Sequence, residues 1–127
     1  MKKLIIMVGL FLFLSAFVFA QSQQERIIAV ATFEKTENSQ ISDKAARAPY
    51  YLVFDKSGKL REIISNPFRD AAGGAGPKMA DLLAEKNVTV VVAGAFGYKM
   101  AKALEAEGIK HHEATGIVKK AVEKLLR

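Results

Sequence analysis

The 127-residue chain contains no cysteine and no tryptophan, three prolines and only two histidines. Without cysteine there is no disulfide, no thiolate zinc site, no cysteine-bound iron–sulfur cluster and no thiol nucleophile. Exported bacterial proteins often lack disulfides, so this absence leaves the compartment open. A serine nucleophile is also excluded, because Ser39, Ser42, Ser57 and Ser65 lack the Gly-x-Ser-x-Gly setting of a nucleophile elbow. The first apolar strand carries no carboxylate, which removes the convergent acids that a two-metal nuclease needs. The expectation is a protein that is not an enzyme. Nor is there a block of one charge: 19 Lys and Arg against 13 Asp and Glu give +6, scattered through the chain. Nucleic acid is therefore not the expected partner.

One long apolar run is present. Lys2 and Lys3 precede Leu4 to Phe19, and Val18 and Ala20 stand at the small-residue positions of a cleavage site before Gln21. Residues 1–20 read as a cleavable signal peptide, which sends the protein to the periplasm or outside the cell. An uncleaved anchor is the alternative, since the run falls only slightly short of the ~18 residues expected of a spanning helix; membrane contact is expected through this segment alone. Losing Lys2 and Lys3 leaves 17 basic against 13 acidic residues, a charge of +4. Residues 21–25 read as a flexible lead-in, and residues 26–127 are of a length that suits one α/β domain.

Arg26 to Ala31 is a short apolar run of β type, and the polar stretch Thr32 to Pro49 that follows is long for a connection. Tyr50 to Asp55 and Leu60 to Asn66 form a hairpin turned at Gly58, with Pro67 ending the second strand. After a Gly/Ala-rich loop, Pro77 marks a helix start, with Met79, Leu82 and Leu83 as its apolar stripe. Val88 to Ala93 reads as a strand buried on both faces, Tyr98 to Glu107 as a helix stopped by Gly108, and Ile109 to His112 as a short strand. Thr115 is placed to cap a last helix carrying Ile117, Val118, Ala121, Val122, Leu125 and Leu126. This order predicts a five-stranded mixed sheet with three helices.

Such a topology brings four connections to one edge of the sheet: Thr32 to Pro49, Pro67 to Gly76, Gly94 to Gly97, and Glu113 to Gly116. Ligands of open α/β sheets bind beyond the carboxyl ends of the strands. Three of these connections hold glycine and lead into helices, so their amides can face an anion. Lys35, Lys44, Arg47, Lys78 and Lys99 could add charge. Glycine also serves such turns for geometry alone, and Gly73-Gly74-Ala75-Gly76 matches neither phosphate-binding fingerprint. His111 and His112 end the last strand on opposite faces, so one at most faces a site. A metal there would need further ligands from Glu113, Asp43, Asp70, Met79 or Met100.

Three stretches, Ile41 to Tyr51, Gly73 to Gly76 and Val90 to Gly97, resemble the dinitrogenase iron-molybdenum cofactor biosynthesis family. Its members are the NifX-type accessory domains, also found at the end of NifB-type proteins. The resemblance covers nearly all of residues 26–126 and implies a ribonuclease-H-like α/β fold. It also implies a binding or carrier role for iron–sulfur or iron–molybdenum cluster precursors. Where the family usually reads Ser-x-His-Phe-Gly-Arg-Ala, this chain has Ser42-Asp43-Lys44-Ala45-Ala46-Arg47-Ala48. Lys44 replaces the histidine, and an ammonium has no lone pair to give a metal. The expected protein is thus an exported carrier for a metal species, metal cluster or small anionic ligand. Ser42, Arg47, Gly73, Gly74, Gly76, Gly94, Gly97 and Gly116 are its expected contacts, with His111 as a metal ligand. The alternative is a cell-envelope interaction module that keeps the fold without the ligand, using the outer strand Leu60 to Asn66 to reach a partner protein.

Overall fold

A run as apolar as Ile28-Ala29-Val30-Ala31 must hide every side chain, which only the middle of a covered sheet allows. In the computed structural model, which describes residues 25–127, β1 (Ile28–Thr32) is buried along its whole length and lies third of five strands. The expected signal peptide and residues 21–24 of the lead-in fall outside the described residues. Among the described residues no helix is long and apolar enough to cross a membrane.

β1 pairs antiparallel with β2 (Tyr50–Phe54), and β2 antiparallel with β3 (Leu60–Ser65). On its other side β1 pairs parallel with β4 (Val90–Ala93), and β4 parallel with β5 (Lys110–Glu113). The order is β3-β2-β1-β4-β5, the five-stranded mixed sheet expected from the sequence. Four strands therefore point one way, and the connections that leave them gather along one edge.

The faces are covered unequally. α1 (Ala75–Glu85) and α2 (Tyr98–Ala106) bury Met79, Leu83, Met100 and Leu104 against Ala29, Ala31, Tyr51 and Val91. The opposite face receives a single helix, α3 (Val118–Leu125), whose Val118 and Val122 pack with Ile41 of the long connection on Ile28, Val30, Phe54 and Val92. α1 and α2 approach closely because Gly76 has no side chain; a Cβ there would lie 2.8 Å from the Cβ of Met100.

Several local expectations are corrected. α1 begins at Ala75, two residues before Pro77, because Gly74 turns the chain in the left-handed region (φ 71°) and Pro77 falls inside the first turn, where a missing amide costs nothing. Thr115 does not cap α3. Ile117 takes the cap position without a side-chain bond, and the Val118 and Lys119 amides donate instead to the carbonyls of Ser39 and Glu37, each at 3.0 Å. Met79 and Met100 are 0% and 1% exposed, so packing consumes both and neither can serve as a ligand. β1 and β4 each start two residues later than expected, and β5 is shifted by one.

The β2–β3 turn is tied by one carboxylate. Asp55 accepts from the Ser57 hydroxyl at 2.5 Å, the Ser57 and Lys59 amides at 2.9 and 3.1 Å, and Arg61 Nε at 2.6 Å. The Ser57 hydroxyl bond, with the other three adding, outweighs desolvation and holds this carboxyl well below the usual carboxylate range. A folded-state pKa below the unfolded one gives stability that is present above about pH 4 and is lost as acid brings the pH through the folded value. Acid titration is expected to loosen the turn only below that point, and Asp55→Asn to flatten this part of the pH–stability curve; an unchanged curve would refute the assignment.

Candidate functional site

The long connection after β1 is held at the carboxyl edge by bonds from several directions. The Ser42 amide donates to the Ala31 carbonyl at 2.8 Å, the Gly94 amide to the Ser42 carbonyl at 2.8 Å, and the Ala45 amide to the Ala95 carbonyl at 3.0 Å. The Tyr51 hydroxyl, buried in the core, donates to the Ala45 carbonyl, and burial pushes its pKa upward. Asn66, at the end of β3, donates through Nδ2 to the carbonyls of Ala46 and Ala48 at 2.9 and 3.0 Å and accepts the Phe68 amide at 2.9 Å. Arg47 Nη1 donates to the Arg69 and Ala71 carbonyls at 2.9 and 3.0 Å, drawing the connection before α1 against the same loop.

These restraints shape a pocket of about 330 Å³ lined by Ala46, Arg47, Gly74 to Pro77 and Gly97 to Met100. The first turns of both α1 and α2 open onto it, and neither contains an acidic residue or a side-chain cap. The amides of Ala75, Gly76, Tyr98 and Lys99 have no carbonyl partner among the described residues. First-turn amides carry the positive end of the helix dipole. Arg47, whose Nη2 and Nε make no bond among the described residues, and Lys99 add two formal charges. The lining holds no carboxylate, and its two charged side chains are both cationic.

The residues expected to form a site divide into three groups. Arg47, Gly74, Gly76 and Gly97 line this pocket together. Ser42 and Gly94 stand behind its wall: Ser42 is buried with its Oγ on the backbone of Lys44, and a Cβ on Gly94 would lie 2.7 Å from the Asp43 Cα. Gly73 is exposed beside the pocket and outside its lining. Gly116 and His111 lie apart from it. Gly116 stands in the turn before α3, where its carbonyl accepts from Ile41, and the first α3 amides, those of Val118 and Lys119, bond the carbonyls of Ser39 and Glu37. His111 Nε2 sits 3.3 Å from Glu105 Oε1 with the Phe96 ring 5.2 Å away, and the described residues contain no group of three His, Cys, Asp or Glu able to hold a metal. Lys35 lies over the Tyr50 ring. Asn66 and Tyr51 were not expected; their bonds to distant carbonyls leave no local mark, although Asn66 before Pro67 at a strand end is a common place for such an anchor.

The sequence model of the dinitrogenase iron-molybdenum cofactor family matches residues 26–127. The chain belongs to this family. It is similar to the orange protein from Desulfovibrio gigas in its apo form, with 28% identity and a TM-score of 0.76 over 82% of this chain and 89% of that one. It is also similar to a putative NifB protein from Thermotoga, with 31% identity and a TM-score of 0.68 over 79% and 86% of the two chains. No curated protein sequence matches. Lys44 is exposed, and Arg47 both lines the pocket and braces its loop.

Proposed function

We propose that this member of the cofactor family binds and carries an anionic metal cluster or metal oxyanion in the pocket between the starts of α1 and α2, without catalysing a reaction. The observation that carries this reading is the convergence of two uncapped helix starts, Arg47 and Lys99 on one cavity without a carboxylate. Family membership and the likeness to the orange protein support it.

The donors present define how the cargo is held. The chain has no cysteine, and the lining offers no imidazole or carboxylate. The metal therefore keeps its own sulfide or oxo shell, and the protein holds that shell by hydrogen bonds and charge. A charge-assisted hydrogen bond contributes about 1.5–3 kcal/mol, and a helix start about 0.3–1 kcal/mol more. A cavity of about 330 Å³ suits a small cluster or oxyanion. We further propose that residues 1–20 direct export, which puts this carrier in the periplasm or outside the cell.

Titration of the full chain with molybdate and with an iron–molybdenum–sulfur cluster, followed through the amides of residues 74–77 and 97–100, tests the reading. Lys99→Ala is expected to weaken binding by about tenfold, equal to about 1.4 kcal/mol, and added salt to weaken it further. His111→Ala is expected to change nothing. Absence of binding, or binding as tight as the parent's in both Lys99→Ala and Arg47→Ala, would overturn it.

A further inference from the structure

A five-stranded sheet is about 20 Å wide and one helix about 10 Å across, so α3 alone leaves part of its face uncovered. The gap between α3 and the edge strand β5 is a groove of about 550 Å³, larger than the pocket on the carboxyl edge. Its apolar floor is Ala114, Ile117, Ala121 and Leu125, and its rim carries His112, Glu113, Thr115, Lys120 and Lys124. Ile117, Ala121 and Leu125 recur every four residues, so the floor runs lengthwise along the helix and suits a linear occupant.

Lys120 and Lys124 are one helical turn apart. Like charges at that spacing repel, and among the described residues neither lysine nor Glu113 forms an ion pair. An anion between them would relieve the repulsion. The amides of Val118 and Lys119 are already bonded, so the attraction is that of the Lys120 and Lys124 ammonium groups.

We infer that this groove binds a single-chain amphiphile of the fatty-acid class, its carboxylate between Lys120 and Lys124 and its alkyl chain on the Ile117–Ala121–Leu125 floor. The site is separate from the cluster pocket, which lies against the other face of the sheet, and does not depend on it.

Octanoate titrated into the full-length ¹⁵N-labelled chain should shift the amides of residues 112–116 and 120–125 and leave residues 74–77 and 97–100 in place. Lys120→Ala/Lys124→Ala, at two exposed positions, should weaken octanoate by about tenfold or more, and octanol should bind the parent correspondingly less well than octanoate. Molybdate should still shift residues 74–77 in the double variant. The inference fails if octanoate leaves the groove amides unmoved, if octanol matches octanoate, or if the double variant binds octanoate as the parent does. It also fails if an acidic peptide shifts the β5 amides where octanoate does not, since the groove would then serve a protein partner.

Discussion

Asn66→Leu is expected to lower stability by about 3 kcal/mol with no change in the denaturant m-value. The two side chains share the same branched skeleton of heavy atoms, and leucine is not the smaller, so the loss comes from hydrogen bonds rather than from a cavity. Asn66 is 8% exposed and satisfies the Ala46 and Ala48 carbonyls and the Phe68 amide together. Leucine leaves all three without a partner. A buried polar group left unsatisfied costs about 1–3 kcal/mol, and relaxation of the loop toward water recovers part of that sum. A loss of this size is a large share of the 5–15 kcal/mol typical of such a domain. The wall carrying Arg47 runs between the two carbonyls, so anion affinity should fall with stability. Urea unfolding checks the first expectation, and a loss under about 1 kcal/mol would mean that the wall stands without this anchor.

Gly94→Ala is expected to be nearly as damaging, by about 2–3 kcal/mol, through overpacking. The added methyl would lie 2.7 Å from the Asp43 Cα and 3.2 Å from the Ser42 carbonyl oxygen. Both are backbone atoms, so no side chain can swing aside. Nor can the loop retreat freely, because Ser42 is bonded to Ala31 through its amide and to Gly94 through its carbonyl, each at 2.8 Å. Thermal unfolding should show a fall of roughly 10 °C or more. Gly73→Ala is the matched control: a Cβ there meets nothing within 4 Å, and its melting temperature should stay near the parent's. Equal melting temperatures for the two variants would remove the close approach of loop and turn from the account.

The fold was legible where burial imposes a pattern. Val88 to Ala93 could only be an interior strand, Gly58 and Gly108 marked their turns, and the strand directions followed from a hairpin and two helical crossovers. Pro77 marks the start of α1 only coarsely, because the event that starts the helix is the left-handed turn at Gly74. Thr115 has the local sequence setting of a cap, yet a distant segment supplies the bonds. The α3 amides were met by carbonyls some eighty residues earlier. The site was legible in part for the same reason. Topology gathers Arg47, Gly74, Gly76 and Gly97, but only tertiary structure separates these from Ser42 and Gly94, which are committed to the wall, and from Gly116, which lines a different cavity.

The direction of β1 has a practical meaning. The chain enters it at the amino edge, where Arg26 Nη1 donates to the Leu125 carbonyl at 2.8 Å and Glu25 pairs with Lys56, so the first described residues and the end of α3 meet there. The pocket opens at the opposite edge. A fusion partner, an affinity tag, an immobilising linker or a membrane tether joined at either of these points would hang from the base of the domain and leave the mouth of the pocket facing outward.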